Sequence, residues 1–99
     1  MSDSGTATAP TPVRTRPTPK RLPPWKVLLH NDRRNYMEYV VAVVSETVRL
    51  PRLEAQQRML EAHRKGVAVL VTTHREHAEL LVEQLRSRRL VVTAEPDEA

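Results

Sequence analysis

Polar side chains that accept hydrogen bonds stand at two places in this sequence where predicted elements end. Asn31 and Asp32 directly follow the apolar run Trp25–His30, and His63 lies near the end of a segment with helical periodicity. An amide oxygen, a carboxylate and a neutral imidazole nitrogen all accept hydrogen bonds. Polar groups between apolar elements are held at the rim of whatever those elements bury, which is where small proteins place binding sites.

Four apolar side chains are predicted to lie beside this polar rim. Met37 and Val40 fall on the first turns of one predicted helix, and Met59 and Ala62 fall on the next helix. Residues four apart share a helix face, so Met59 lies on the same face as His63. If the two helices pack as a hairpin, one apolar hole opens beside the rim. The chemistry that this arrangement indicates is ligand binding.

Motifs for catalysis are not recognisable in the sequence. It shows no Ser/His/Asp arrangement, and its two Gly argue against a phosphate-cradling loop. His74 and His77 are three residues apart with Glu76 between them, which differs from the HExxH spacing of zinc proteases. We therefore predict a protein that is not an enzyme and that uses no metal and no cofactor.

Six elements are predicted from hydrophobic periodicity and helix-end signals. Asn35 has the chemistry of an N-cap, with Glu38 three residues later to complete a capping box, and Thr73 with Glu76 repeats this pattern. Gly66 suits the left-handed position that follows a helix. The predicted strands are Trp25–His30, Val67–Thr73 and Leu90–Thr93, and the predicted helices are Tyr36–Arg49, Arg52–Lys65 and His74–Ser87.

The order β-α-α-β-α-β predicts an α+β fold, with a three-stranded, mainly antiparallel sheet and three helices packed on it. Residues 25–94 form the predicted core domain. Residues 1–24 contain most of the chain's eight Pro among small polar residues, which predicts a disordered tail, and residues 95–99 are predicted to be an acidic frayed end. The predicted buried stripes of the three helices are Met37, Val40, Val41, Val44 and Val48; Leu53, Ala55, Met59 and Ala62; and Ala78, Leu81, Val82 and Leu85.

The charge and composition of the chain argue against nucleic-acid-binding, membrane-spanning and disulfide-rich classes of protein. Residues 1–24 hold four basic residues against one acidic residue, whereas the remainder holds twelve against eleven, so the net charge of +4 resides mainly in the tail. A nucleic-acid-binding domain would be expected to carry a basic face of its own. No apolar run is long enough to span a bilayer, and there is no Cys for a disulfide framework. We predict a cytoplasmic monomer that binds neither nucleic acid nor membrane.

Several motifs of the predicted core resemble ClpS, the adaptor family of the Clp proteases. The resemblance covers about residues 24–93, and the spacing between its motifs is fairly specific. The matching residues are Lys26-Val27-Leu28-Leu29-His30-Asn31-Asp32, Met37-Glu38-Tyr39-Val40, Glu54-Ala55, Met59-Leu60, His63, Gly66 and Leu90-Val91-Val92-Thr93.

The resemblance implies a fold shared with the C-terminal domain of the ribosomal stalk protein, and a non-catalytic function. ClpS-like adaptors bind substrate chains whose first residue is Leu, Phe, Tyr or Trp, which are called N-degrons. They deliver these substrates to an AAA+ unfoldase, ClpA or ClpC, by docking on its N-terminal domain. By resemblance, Asn31, Asp32 and His63 bind the substrate's α-amino group, and the side-chain pocket is formed by Met37, Val40, Met59, Ala62 and Leu90. The tail is expected to engage the unfoldase.

Four positions depart from the family's pattern. Arg33 stands where a second carboxylate is usual, Asn35 where Thr is common and Tyr36 where Pro follows it. Ala62 replaces a larger Val, which widens the expected pocket. Arg33 and Asn35 are therefore predicted to alter specificity. The alternative function is a docking module with the same fold, with altered or lost N-degron binding, that contacts a protein partner through its helices.

Overall fold

All six predicted elements are present in the computed structural model, which describes residues 22–98 of the chain. Residues 1–21 of the tail predicted at 1–24, and residue 99 of the predicted frayed end, lie outside the described residues. Within residues 22–98, no helix has the length and apolar character needed to cross a membrane. The strands are β1 (Trp25–His30), β2 (Val67–Thr73) and β3 (Val92–Pro96), and the helices are α1 (Met37–Val48), α2 (Arg52–Lys65) and α3 (Arg75–Ser87).

The first strand of the chain is the central strand of the sheet. The strand order is β2-β1-β3, and β1 pairs antiparallel with both neighbours. Leu29 lies opposite Ala68 on one side and Val92 on the other. Residues opposite each other in a ladder point to the same face, so these three side chains form part of one inner face, which is buried. The predicted fold class, a mainly antiparallel sheet carrying three helices, is confirmed.

The helices bury most of the residues in their predicted stripes, although Val48, at the end of α1, is only half-buried. The predicted stripe of α3 is buried in full. On α1, Val43 is also buried, whereas Met37 is 44% exposed because it occupies the first position of the helix, at the edge of the core. On α2, Leu53 is exposed at the start of the helix, while the other predicted residues are buried. Packing against α2 and α3 therefore holds α1 in place despite its β-branched residues.

The predicted capping boxes are wrong at both helix starts. The N-cap of α1 is Tyr36, which makes no side-chain cap hydrogen bond. The Asn35 side chain is used elsewhere, because its amide donates to the Asp32 carboxylate and to the Arg89 carbonyl oxygen, the latter at 2.9 Å. At α3 the N-cap is His74, whose Nδ1 accepts from the backbone N–H of His77 at 3.3 Å.

The predicted bounds of the last strand are also wrong. The chain is still leaving α3 at Leu90, whose N–H donates to the Leu85 carbonyl oxygen at 3.1 Å, and β3 begins only at Val92. The strand then runs to Pro96, opposite Trp25, so the segment predicted to be frayed begins inside the sheet. A hydrogen bond of 2.8 Å from the Asp97 N–H to the Pro24 carbonyl oxygen extends the pairing further.

Gly66 ends α2 with a left-handed backbone, at φ 96°, and its N–H donates to the Ala62 carbonyl oxygen at 2.8 Å. A Cβ at this position would meet no atom within 4 Å, so a substitution acts through backbone strain alone. We expect Gly66→Ala to lower the free energy of unfolding by about 1 to 2 kcal/mol, as measured by urea denaturation. Gly66→Asn should cost less, because Asn tolerates this conformation better. Equal losses for both variants would contradict this explanation.

Candidate functional site

A single cavity of about 230 Å³ opens where β1 ends, between the following loop and helices α1 and α2. It collects predicted site residues that are far apart in the sequence. Every predicted site residue except Leu90 lines it. The lining residues are Leu29, His30, Asn31, Asp32, Arg33, Asn35, Met37, Val40, Met59, Ala62 and His63.

Leu90 is the one predicted pocket residue that the structure places elsewhere. Its side chain is 4% exposed and belongs to the hydrophobic core. It lines a different hollow, together with Arg89 and Val91. The turn that leads from α3 into β3 carries Leu90 back towards Leu85, so it does not reach the cavity lining.

The floor of the cavity is apolar and comes from the two helices. Val40 on α1 and Met59 on α2 are buried, and Ala62 is only 2% exposed. Met37 lies near the surface and forms part of the wall. The small Ala62 side chain occupies little of the space between the helices. The floor therefore offers an apolar environment to a side chain entering from solvent.

The exposed acceptors of the rim are Asn31, in the loop after β1, and His63, in the last turn of α2. A backbone hydrogen bond holds together the two segments that carry these side chains. The Asn31 N–H donates to the carbonyl oxygen of Gly66, at 3.0 Å, directly after the helix that carries His63. This hydrogen bond fixes the loop against the end of α2, so the two polar side chains face one opening.

Asp32 lines the cavity, but its carboxylate is turned into the loop. The side chain is 5% exposed and lies 4.0 Å from the Arg34 guanidinium, and it accepts the Arg34 N–H at 2.8 Å. Burial alone would raise the pKa of Asp32, but the hydrogen bonds from Arg34 and Asn35 and the charge of Arg34 outweigh it and lower the pKa. The carboxylate therefore organises the loop and contributes an ionised charge beside the cavity.

This lowered pKa predicts a pH-dependent contribution to stability. A carboxyl whose folded pKa lies below its ordinary value of 3.8 stabilises the fold above that pH and loses this effect as the pH falls through the folded pKa. We expect Asp32→Asn to lower the free energy of unfolding by about 1 to 2 kcal/mol at neutral pH, with the difference shrinking below about pH 3.8.

Urea denaturation of both proteins across this pH range measures the difference. Asp97→Asn is the matched control, because Asp97 is more exposed and its carboxylate lies 3.7 Å from Lys26. A gap between Asp32→Asn and the unmodified chain that stays constant with pH would show that the Asp32 charge does not stabilise the loop.

Arg33 brings a cation to the cavity. It is exposed, and among residues 22–98 it forms no salt bridge within 4 Å. If the resemblance described above holds at this position, Arg33 replaces an expected acceptor by a donor.

Two lining residues, Leu29 and His30, were predicted only as strand residues. Leu29 contributes to both the core and the cavity, and the His30 Nε2 lies 2.7 Å from the Thr93 hydroxyl. Their position at the end of β1, directly before the polar loop, is the sequence signal that indicates their role. The last residues of a strand necessarily border a site built on the loop that follows.

The family is established by comparison with known proteins. A family model described as "ATP-dependent Clp protease adaptor protein ClpS" matches residues 20–93 of the chain. The chain belongs to the ClpS family. It is therefore an adaptor of the ATP-dependent Clp protease, and the resemblance predicted from its motifs is confirmed.

Two cyanobacterial members of the ClpS family show how much of the chain is shared. The Clp protease adaptor ClpS of Gloeobacter violaceus is 44% identical over 79 residues, which are 79% of this chain and 85% of that protein. The ClpS adaptor of Synechococcus elongatus is 45% identical over 80 residues, which are 80% of this chain and 84% of that protein.

A solved ClpS structure has the same architecture. The structure of Agrobacterium tumefaciens ClpS2 bound to L-phenylalaninamide is 31% identical and superimposes with a TM-score of 0.73. The match covers 78% of this chain and all of that chain. The described residues therefore have the ClpS fold.

Proposed function

We propose that this chain binds substrate proteins whose first residue is Leu, Phe, Tyr or Trp, and delivers them to a Clp AAA+ unfoldase. The observation that carries the proposal is one opening that combines a buried apolar floor with two exposed acceptors, Asn31 and His63. The first residue of a chain has the matching pair of features, because its α-ammonium and its side chain are attached to the same carbon atom.

The floor suits a large apolar side chain. A cavity of about 150 Å³ in an apolar core is enough to admit benzene, and the cavity here has about 230 Å³. Met37 and Met59 have flexible, polarisable side chains that adapt to several shapes, which fits a pocket that accepts both aliphatic and aromatic residues. Burying such a side chain contributes about 1.5 to 3 kcal/mol.

The rim suits an ammonium group. An ammonium only donates hydrogen bonds, so its partners are the amide oxygen of Asn31 and a ring nitrogen of His63. The ionised Asp32 lies beside the cavity and adds favourable charge without the need for direct contact. We therefore assign Asn31 and His63 to α-amine binding and Asp32 to positioning and electrostatics.

Arg33 acts against this attraction. A cation about 4 Å from an ammonium would cost up to about 4 kcal/mol at an effective dielectric constant near 20. The Arg33 side chain is exposed and long, so it can turn its guanidinium towards solvent. The chain is accordingly expected to bind a first residue, but with weaker attraction for the amine than a rim with two carboxylates would give.

The ligand of the related ClpS2 supports the proposal. L-phenylalaninamide, to which that protein is bound, carries a free α-amine, a benzyl side chain and an amide in place of the carboxylate. These are the groups that the first residue of a Phe-initiated protein presents. The shared fold and the chemistry of that ligand, which matches the apolar floor and exposed acceptors found here, make an N-terminal residue the best-supported ligand.

The partner and the working state follow from the same proposal. The chain acts as a monomer without catalysing a reaction, docks on the N-terminal domain of ClpA or ClpC, and works in the cytoplasm. Residues 1–24 are expected to engage the unfoldase while the core domain holds the substrate. These assignments extend the family's description as a Clp protease adaptor.

The proposal is tested by delivery of a folded reporter to a Clp protease that contains ClpA or ClpC. Addition of this chain should accelerate degradation of a reporter that begins with Phe and leave a reporter that begins with Ser unchanged. Failure to accelerate degradation with either unfoldase would refute substrate delivery.

Arg33 favours a second candidate function, a docking module whose N-degron specificity is altered or lost. In that case the chain would still be captured by the unfoldase N-terminal domain in a pull-down, while a Phe-initiated peptide would bind no better than a Ser-initiated peptide. Binding of the Phe-initiated peptide in the same preparation would exclude this alternative.

A further inference from the structure

A second hollow, of about 600 Å³, adjoins the candidate binding cavity. Asn35 lines both, so the two openings share a border. Three arginines from distant parts of the sequence line the second hollow: Arg34 from the loop after β1, and Arg86 and Arg89 from the end of α3 and the turn that follows.

The positive charge of this surface is only partly compensated. Arg34 lies 4.0 Å from the Asp32 carboxylate, which is the one acidic group among the lining residues of either opening. Arg86 donates its Nε–H to the Val92 carbonyl oxygen at 3.1 Å, a contact that leaves its charge unpaired. Within residues 22–98, Arg33 and Arg89 form no salt bridge within 4 Å.

The arginine-bearing turn is fixed in place rather than loosely attached. Asn35 donates its side-chain amide to the Arg89 carbonyl oxygen at 2.9 Å, and the Tyr39 hydroxyl donates to the Arg88 carbonyl oxygen at 2.9 Å. The Arg89 backbone is left-handed, at φ 71°, so these bonds hold a conformation that would otherwise be costly. A turn whose backbone is held in this way loses less backbone freedom when its side chains bind an anion.

A substrate whose first residue fills the cavity continues outward over its rim, and Asn35 marks the part of the rim that borders the second hollow. Arg33 is an exposed lining residue of this cavity, within reach of a second substrate residue, and each further residue extends an extended chain by about 3.3 Å. The direction that passes Asn35 leads over the hollow lined by Arg34, Arg86 and Arg89. Carboxylates at these substrate positions would meet guanidinium groups, which bind carboxylates with two parallel hydrogen bonds.

We propose that this adaptor reads the residues after the first one and selects substrates with Asp or Glu at positions two to four. The inference rests on the proposed function, because it requires the first residue to occupy the cavity. The proposal also gives Arg33 a role in substrate binding. A carboxylate at position two would pair with the Arg33 guanidinium, which otherwise repels the α-ammonium. An acidic second residue should therefore strengthen the binding of the hydrophobic first residue.

Three peptides that differ only at positions two and three test this inference: Phe-Glu-Glu, Phe-Ser-Ser and Phe-Lys-Lys, each followed by the same neutral sequence. At low salt we expect the Glu peptide to bind about tenfold or more tighter than the Lys peptide, with the Ser peptide between them. The ratio should shrink at about 0.5 M salt, because exposed charges are then screened.

Arg33→Gln and Arg89→Gln should each move the ratio of Glu-peptide to Lys-peptide affinity towards one. Arg49→Gln is the matched control, because Arg49 is also exposed and also left-handed, at φ 66°, but lines neither opening. This variant removes one positive charge and should leave the ratio unchanged.

The outcomes separate the two proposals. Equal affinity for all three peptides, or tighter binding of the Lys peptide, would overturn the selection of acidic residues while leaving first-residue recognition intact. Failure of all three peptides to bind would overturn both. A ratio that falls equally in Arg49→Gln would show a nonspecific charge effect and would also refute the assigned surface.

Discussion

A peptide that begins with Phe is expected to lose about 100-fold in affinity for this chain when its α-amino group is acetylated. Acetylation removes the positive charge and leaves one donor where there were three. Hydrogen bonds to charged groups contribute about 1.5 to 3 kcal/mol each, and the rim offers two exposed acceptors, Asn31 and His63. A loss of about 3 kcal/mol corresponds to a factor of about 100.

Isothermal titration of the free and acetylated peptides measures this difference. His63→Ala should reduce it, because one of the two acceptors is then missing. His77→Ala is the matched control, since His77 is an exposed imidazole on α3 outside the cavity. If acetylated and free peptides bind equally well, the cavity takes an apolar side chain without reading the chain end, and the proposed role of the rim is wrong.

Filling the cavity from its floor should have the second largest effect. Ala62 is 2% exposed and lines the cavity, so the additional atoms in Ala62→Leu occupy space that the substrate side chain would use. Loss of the burial of that side chain, about 1.5 to 3 kcal/mol, predicts affinity about 10- to 100-fold lower for a Phe-initiated peptide. The cost in stability should lie near the lower end of the about 1 to 3 kcal/mol of overpacking, because the cavity accepts the new atoms.

Peptide titration and urea denaturation of the same variant separate these two effects. Ala42→Leu adds the same atoms at a half-buried position of α1 outside the cavity, and it should leave affinity unchanged. Undiminished binding by a folded Ala62→Leu protein would mean that the substrate side chain lies elsewhere.

The helices, the strands and the buried residues could be predicted from the sequence, but the residues at which helices and strands begin and end were predicted less well. Leu81, Val82 and Leu85 follow the period of a helix, and their burial follows from it. The start of α1 did not follow from local rules, because Asn35 is recruited by the distant Arg89 instead of capping the helix. The length of β3 is set by its partner, which begins at Trp25, rather than by the apolar run around Leu90.

In the candidate site, too, some features could be predicted from the sequence and others could not. Met59 and Ala62 belong to one helix, so helical spacing alone placed them near the predicted rim. The orientation of the Asp32 carboxylate depends on hydrogen bonds inside its own loop, which the order of residues does not specify. The hollow shared by Arg34 and Arg86 depends on how the strands are ordered in the sheet, so no local pattern indicates it.

The central position of β1 has a consequence for how the adaptor is made. Every residue that lines the candidate cavity precedes Arg64, yet β1 remains unpaired on one side until β3, starting at Val92, has been synthesised. Sheets whose strands pair over long sequence separations form late, and domains generally fold as units during translation. The strand that carries the candidate cavity thus gains its second partner only after Val92–Pro96 has been synthesised, so a chain cut before β3 is expected to leave β1 half-paired and the cavity unformed.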